Sequence, residues 1–233
     1  MRPLQLYVLC GPNGAGKSTL SETFVPPGTD IFDGDREMAL LRHQYPMTDS
    51  GTLYEAANGI IFDKRKENAI TSGSDFAFET NFRTAQVMES VRQFRDAGYE
   101  TRMIFIGLPS IEASIDRVNM RVKAGGHFVD AENVNKNFTG GLENLVRFYD
   151  GFDSVDLLES TIDQNEPFKV AALMTIKNGV VVARAEKLPE WAMKIPKEIE
   201  RKLQQQIEER LSKGKNVGKG TSRDNGHGFG MGR

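Results

Sequence analysis

Residues 11 to 18 read Gly11-Pro12-Asn13-Gly14-Ala15-Gly16-Lys17-Ser18, directly after the apolar run Leu4-Gln5-Leu6-Tyr7-Val8-Leu9-Cys10. The positions of the glycines, the lysine and the serine fit the G-x-x-x-x-G-K-[ST] phosphate loop throughout. Such a loop restricts the fold strongly. It works only where a strand hands the chain to a helix N-terminus, whose free N–H groups and dipole hold phosphate oxygens. Both flanks are predicted here, a strand ending at Cys10 and a helix over 16–24. Gly11, Gly14 and Gly16 let the backbone wrap a phosphate without side-chain clashes, and Pro12, Asn13, Ala15 and Thr19 complete the cradle. Lys17 neutralises the β and γ oxygens, and the Ser18 hydroxyl is placed to ligate Mg²⁺. The pattern predicts a nucleoside triphosphate ligand.

Short apolar runs alternate with helical patterns along the chain, the mark of βα units and a mostly parallel sheet. The runs lie at 4–10, 30–33, 75–78, 101–108 and 155–158. Helix patterns lie at 16–24, 36–43, 52–70, 84–97, 110–124 and 131–149, with Gly98 and Gly125-Gly126 ending two of them. The expected fold is therefore α/β, a phosphate-loop NTPase or kinase-like three-layer architecture with helices on both faces of the sheet. After residue 167 two β-rich runs, 168–174 and 180–184, flank Asn178-Gly179, which predicts a C-terminal hairpin with a type I′ turn at the edge of the sheet or beside it.

At 233 residues the chain suits one domain with an appendage. The expected division is a phosphate-loop domain over 1–190, a charged helix over 191–212 and a disordered, basic, Gly-rich tail over 213–233. The formal net charge of −2 gives no overall bias toward nucleic acid or membrane surfaces, although five cations against Asp224 alone are gathered in residues 211–233. Cys10 is the only cysteine, so no internal disulfide forms, and no run approaches the roughly 20 apolar residues of a membrane span. These features lead to the expectation of a soluble, cytoplasmic protein with no membrane or nucleic-acid partner.

Four further features separate the classes of phosphate-loop protein. Asp33-Gly34-Asp35 ends the second strand run at the sheet edge where ligands bind in open α/β folds. Phe76-Ala77-Phe78 runs into Glu79, with Thr80, Asn81 and Arg83 just beyond. Arg117 and Arg121 are four apart on one helix face, beside the apolar stripe Ile111, Ile115, Val118 and Val122. Gly125-Gly126-His127 follows, a flexible join such as a closing lid needs. Each has a plainer alternative: Asp33 and Asp35 as caps of the next helix, Glu79 paired with Arg83, the arginines as a solvated face.

Together, Asp33-Gly34-Asp35, Glu79-Thr80-Asn81-Phe82-Arg83-Thr84, Gly98-Tyr99-Glu100 and the stretch from Gly107-Leu108-Pro109-Ser110 through Arg121 to Gly125-Gly126-His127-Phe128-Val129 resemble the zeta toxin family of phosphate-loop kinases. The likeness spans about 5–190. It implies an ATP- and Mg²⁺-dependent kinase that phosphorylates a hydroxyl of a small molecule, UDP-N-acetylglucosamine in the family's characterised members, and a small helical antitoxin as partner. The family's catalytic aspartate falls on Asp35, its substrate-contacting glutamate on Glu79, its loop lysine on Lys17 and a lid arginine on Arg117. Thr80 and Arg83 join Glu79 in the acceptor site. A second lid arginine is left to Arg121, Lys123 or His127. Where relatives carry a basic cluster, this chain has Asn135-Lys136-Asn137.

Two other readings stay open at this stage: a kinase for a nucleotide, cofactor or nucleic-acid end, and an ATP-binding module without turnover. A transporter-type ATPase is excluded on order. Thr139-Gly140-Gly141-Leu142-Glu143 echoes that class's signature, but no apolar strand ending in Asp-Glu follows it.

Overall fold

The computed structural model describes residues 2–126, 128–161 and 169–217. Strand β1 (Gln5–Cys10) is buried at every residue, as a strand covered on both faces must be. It is followed by α1 (Lys17–Phe24), β2 (Asp30–Phe32), α2 (Gly34–Gln44), α3 (Ser50–Glu55), a π-helical segment (Ala56–Ile61) and α4 (Phe62–Ser72). Then come β3 (Phe76–Thr80), α5 (Val87–Asp96), β4 (Glu100–Gly107), α6 (Ile111–Lys123), α7 (Ala131–Phe148), β5 (Ser154–Thr161), β6 (Lys169–Lys177) and β7 (Val180–Arg184). The sheet runs β2-β3-β1-β4-β5-β6-β7. Its first five strands are parallel and β6 and β7 close it as an antiparallel hairpin.

Alternation along the strands sorts their side chains into two apolar layers. Phe32, Phe76 and Phe78 meet Phe62 and Phe94 on one face, with the Phe76 and Phe94 rings stacked 5.5 Å apart. Tyr7, Leu9, Ala77, Ile104, Ile106 and Leu158 form the other, against Phe138 of α7. A mostly parallel three-layer α/β fold is thus present as expected, and the hairpin extends the sheet. Both Asn178 and Gly179 carry positive φ, 50° and 76°, as a type I′ turn demands.

Several element boundaries differ from those expected. The 52–70 helix is a continuous helical run from Ser50 to Ser72 whose middle turn is π-helical. Helix α2 begins at Gly34, because the Asp33 side chain caps it through the N–H groups of Asp35 and Arg36. Asp35 therefore belongs to the first turn of a helix.

The chain divides into two compact units, Met1–Lys194 and Ile195–Arg233. The first extends past residue 190 because Trp191 belongs to it: the indole lies 5.9 Å from the Phe105 ring and Nε1 donates to Glu159 Oε1 at 3.3 Å. The charged helix is α8 (Lys194–Val217), so it starts later than 191 and continues over 213–217, a stretch expected to belong to the disordered tail. Gly214 costs a helix interior only about 1 kcal/mol, too little to end it there. The rest of the tail lies outside the described residues, as does His127. Among the described residues no helix is long and apolar enough to cross a membrane.

Candidate functional site

Strand register brings the acidic residues level with the loop. Leu9 pairs with Glu79 and Cys10 with Thr80, while Phe32 pairs with Phe78, which sets Asp33 one step beyond at the same height. These C-terminal strand ends open into a cleft of about 620 Å³. Loop residues Asn13, Gly14, Gly16, Lys17, Ser18 and Thr19 line it, with Asp33, Gly34, Asp35, Tyr54, Asn58, Glu79, Thr80, Asn81, Arg117, Met120 and Arg121. Gly11, Pro12 and Ala15 are buried beneath it.

Two loop glycines are required by close approach. Gly11 has φ of 143° and lies so near β4 that a Cβ would stand 2.2 Å from the Ile106 carbonyl oxygen. Gly14 has φ of 77°, and a Cβ there would stand 2.6 Å from Arg117 Cβ. The loop is also held from α6 and α7. Ser114 Oγ donates to the Asn13 carbonyl at 2.6 Å, and Asn137 Nδ2 donates to Asn13 Oδ1 at 2.8 Å.

Lys17 Nζ donates to the carbonyls of Gly11 at 2.8 Å and Pro12 at 3.0 Å, and to Asn81 Oδ1 at 3.0 Å. Burial pulls its pKa below the usual lysine value, against the carboxylates of Glu79, Asp35 and Asp33, which hold the charged form. Ser18 Oγ lies 2.6 Å from Glu79 Oε2 and 3.0 Å from Asp33 Oδ2. One hydroxyl proton serves one carboxylate at a time, so two acidic oxygens converge on a single donor. Burial raises the Glu79 pKa and the neighbouring Asp33 charge adds to that, while the Ser18 hydrogen bond works the other way. A hydroxyl and two carboxylates are hard oxygen donors, short of an all-protein cage, and they fit a small divalent ion that completes its shell with phosphate and water.

Arg117 is only 9% exposed. It donates from Nη1 to the Gly14 carbonyl at 3.1 Å and to Ser160 Oγ at 2.9 Å, and from Nη2 to the Ser160 carbonyl at 3.0 Å. The helix expected as a lid is thus tied to the loop through Ser114 and Arg117, and the guanidinium joins the loop to β5. Arg121 lines the cleft one turn further on. Thr80 lines it too, although its Oγ1 accepts from the Phe82 N–H at 3.0 Å.

Arg83 is not among the lining residues. Its Nη1 donates to Asn133 Oδ1 at 3.2 Å, and not to Glu79 as the plainer alternative had it. Between Asn81, which lines the cleft, and Arg83, which does not, Phe82 has a left-handed backbone, φ of 54°. Thr139–Glu143, the stretch that echoes a transporter signature, is helical within α7. The structure adds Tyr54, Asn58, Ser114 and Ser160, which sequence reasoning misses, and gives Asn81, named in the sequence only as a neighbour of Glu79, a bond to Lys17. Of these, Ser114 has a readable signal, a small polar residue among Ile111, Ile115 and Val118 and one turn from Arg117.

The fold is shared with solved phosphate-loop proteins. A chain of the AvrRxo1-ORF1:-ORF2 complex, solved with ATP, matches at TM-score 0.61 and 14% identity, over 84% of this chain and 64% of that one, so the present chain spans under two thirds of its length. A chain from the PezAT chromosomal toxin–antitoxin system of Streptococcus pneumoniae matches at TM-score 0.58 and 15% identity, over 89% of this chain and 88% of that one. An uncharacterized protein of Haemophilus influenzae is 27% identical over 127 residues, 54% of this chain and 86% of its own length. The model of the family described as AAA domain matches residues 6–137, from β1 into α7 and across every residue that lines the cleft, and the chain belongs to that AAA domain family.

Proposed function

We propose that the protein is a kinase that transfers the γ-phosphoryl group of ATP to a hydroxyl of a small molecule. The observation that carries this reading is the convergence of Lys17, Ser18, Asp33, Asp35, Glu79 and Arg121 on one cleft at the glycine loop. Phosphoryl transfer asks a protein mainly for positioning and charge stabilisation, and these residues supply both.

The loop N–H groups and Lys17 hold the β- and γ-phosphates. Arg117 keeps the Gly14 end of the loop in shape, and Arg121 offsets charge that develops on the transferring group. Asp35 accepts the proton of the acceptor hydroxyl as its oxygen bonds to the γ-phosphorus and the bond to the β-bridging oxygen breaks, which leaves ADP. Ser18, with Asp33 and Glu79, would hold Mg²⁺, which supplies charge neutralisation and a template for the phosphates. Glu79 and Thr80 orient the acceptor.

The resemblance to zeta toxins makes a nucleotide sugar such as UDP-N-acetylglucosamine the first acceptor to test. The toxin–antitoxin system of the PezAT match supports a small helical antitoxin as partner, and the one buried thiol, Cys10, suits a cytoplasmic setting.

Labelled ATP with Mg²⁺ is offered alongside a panel of nucleotide sugars, nucleotides, cofactors and oligonucleotides. The expected result is label in one acceptor, a fall in turnover of about 10²- to 10⁴-fold for Asp35→Asn, and ATP affinity within about twofold of wild type. ATP bound tightly with no acceptor labelled would overturn the kinase in favour of a binding module. Near wild-type turnover in Asp35→Asn would remove that residue from the base role.

A further inference from the structure

The Lys17 ammonium has three N–H donors, and all three are engaged within the protein: by the Gly11 carbonyl at 2.8 Å, the Pro12 carbonyl at 3.0 Å and Asn81 Oδ1 at 3.0 Å. A phosphate oxygen that enters the glycine cradle must take one of these bonds. The two carbonyls belong to the loop backbone, which at Gly11 packs so near β4 that a Cβ would stand 2.2 Å from the Ile106 carbonyl oxygen. Asn81 is a side chain that lines the cleft and can rotate away. We infer that Asn81 is a placeholder for phosphate, a positioning residue whose amide oxygen occupies the Lys17 donor before nucleotide binds, surrenders it to the incoming phosphate and reclaims it as ADP leaves.

The surroundings of Asn81 hold its backbone in place by independent contacts. Phe82, the next residue, adopts a left-handed φ of 54°, a conformation that is strained for a bulky side chain and persists only where the surroundings over-determine it. Its ring is fully buried and packs 6.2 Å from Phe148 and 6.4 Å from Phe152. Its N–H donates to Thr80 Oγ1 at 3.0 Å, and its carbonyl accepts from Asn144 Nδ2 at 2.9 Å. On the α7 side Gly141 leaves space for the Asn81 carbonyl, since a Cβ there would stand 2.6 Å from that oxygen. A backbone so constrained presents the amide to Lys17 at a fixed distance, and only χ angles are left to change.

The choice of amide over acid or hydrocarbon follows from the same counting. An aspartate would pair with Lys17 as an ion and resist displacement, besides adding a fourth carboxylate to Asp33, Asp35 and Glu79. An alanine would leave the third donor to water, which a phosphate displaces easily. The asparagine sits between: a neutral acceptor that keeps the ammonium aimed while lowering the affinity for nucleotide, which favours product release.

This deepens the kinase reading and rests on nucleotide occupying the loop, so the test reads binding and not turnover. ADP is titrated calorimetrically, with Mg²⁺ in excess, into the wild-type chain, Asn81→Ala and Asn81→Asp, each first checked for a wild-type thermal unfolding profile. Asn81→Ala is expected to bind ADP about 5-fold tighter, roughly 1 kcal/mol at 1.4 kcal/mol per tenfold, and Asn81→Asp about tenfold weaker. In the labelled-ATP assay Asn81→Ala is expected to lower KM and kcat together, because product leaves more slowly. Equal or weaker ADP binding by Asn81→Ala overturns the placeholder while leaving the kinase reading intact, and so does an Asn81→Asp affinity equal to wild type. A wild-type chain that takes up no ADP overturns both. If Asn81→Ala is unstable, Asn81→Ser takes its place: its hydroxyl is too short to span the gap, so tighter ADP binding is expected there too, and equal or weaker binding overturns the placeholder in the same way.

Discussion

Replacing Arg117 by lysine distinguishes a buried clamp from an exposed finger. The guanidinium joins three acceptors, Gly14 O, Ser160 Oγ and Ser160 O, at 2.9–3.1 Å, and Ser160 itself is fully buried. A lysine keeps the charge, but its three donors sit on one nitrogen and cannot reproduce the planar fork that reaches both the loop and β5, so at least one of these acceptors is stranded. Hydrogen bonds to charged groups contribute about 1.5–3 kcal/mol each, and part of that is offset here because burial disfavours the guanidinium's charge, lowering its pKa. The net loss expected for Arg117→Lys is about 2–4 kcal/mol, a fall in Tm on the order of 10 °C for a domain of this size. Urea unfolding followed by the emission of Trp191, the only tryptophan and nearly buried, reads it directly. Ser160→Ala is expected to cost about 1 kcal/mol alone, and the double variant less than the sum of the two, since both remove the same bond. An Arg117→Lys chain with wild-type stability and lost turnover would refute the clamp and make the arginine a transition-state cation.

Three further substitutions test the surroundings of single residues. Glu79 has a raised pKa, so the folded chain binds a proton there more readily than the unfolded chain, and its contribution to stability is present at low pH and lost as pH rises through the folded value. Glu79→Gln is therefore expected to raise the metal-free thermal midpoint at neutral pH and to abolish the stabilisation by Mg²⁺ and nucleotide that grows over the same rise in wild type; a lower metal-free midpoint would contradict the burial argument. Among the glycines, Gly59→Ala, with open space around its Cβ, is expected to stabilise by about 0.5–1 kcal/mol, and Gly141→Ala, which collides with the Asn81 carbonyl, to destabilise by about 1–3 kcal/mol, both measured by urea unfolding.

The sheet and the loop are legible in the sequence because backbone geometry dictates residue type there. Only glycine passes Ile106 at position 11, and a strand covered on both faces must read as Leu6-Tyr7-Val8-Leu9. The hairpin is legible for the same reason, since Asn178-Gly179 carries two positive φ values in a row. Arg117 is legible as a functional position and illegible as a buried one, because its partner Ser160 lies 43 residues downstream on a strand whose register no local pattern encodes. The left-handed backbone of Phe82 is illegible because it runs against the preference of a bulky residue for negative φ. Asp33 reads in the sequence as either cap or site, and it is both: Oδ1 caps α2 while Oδ2 faces Ser18.

The pairings that local patterns do not encode have a common character. Lys17 and Arg117 are bonded to carbonyl, amide and hydroxyl oxygens, all neutral acceptors, while Asp33 and Glu79 converge on one serine hydroxyl. A bare nucleotide would bring its phosphates toward these carboxylates, and a bare divalent ion would find two carboxylates and a hydroxyl, fewer ligands than it needs. On the proposed function the two together would satisfy both halves, the acidic side holding the ion and Lys17 the phosphates. A cleft so built would suit a metal–nucleotide complex better than either component alone. It follows that Mg²⁺ and ADP should each raise the affinity for the other by the same factor, as linkage requires, and that the factor should collapse in Glu79→Gln, measured by titrating each ligand with and without the other.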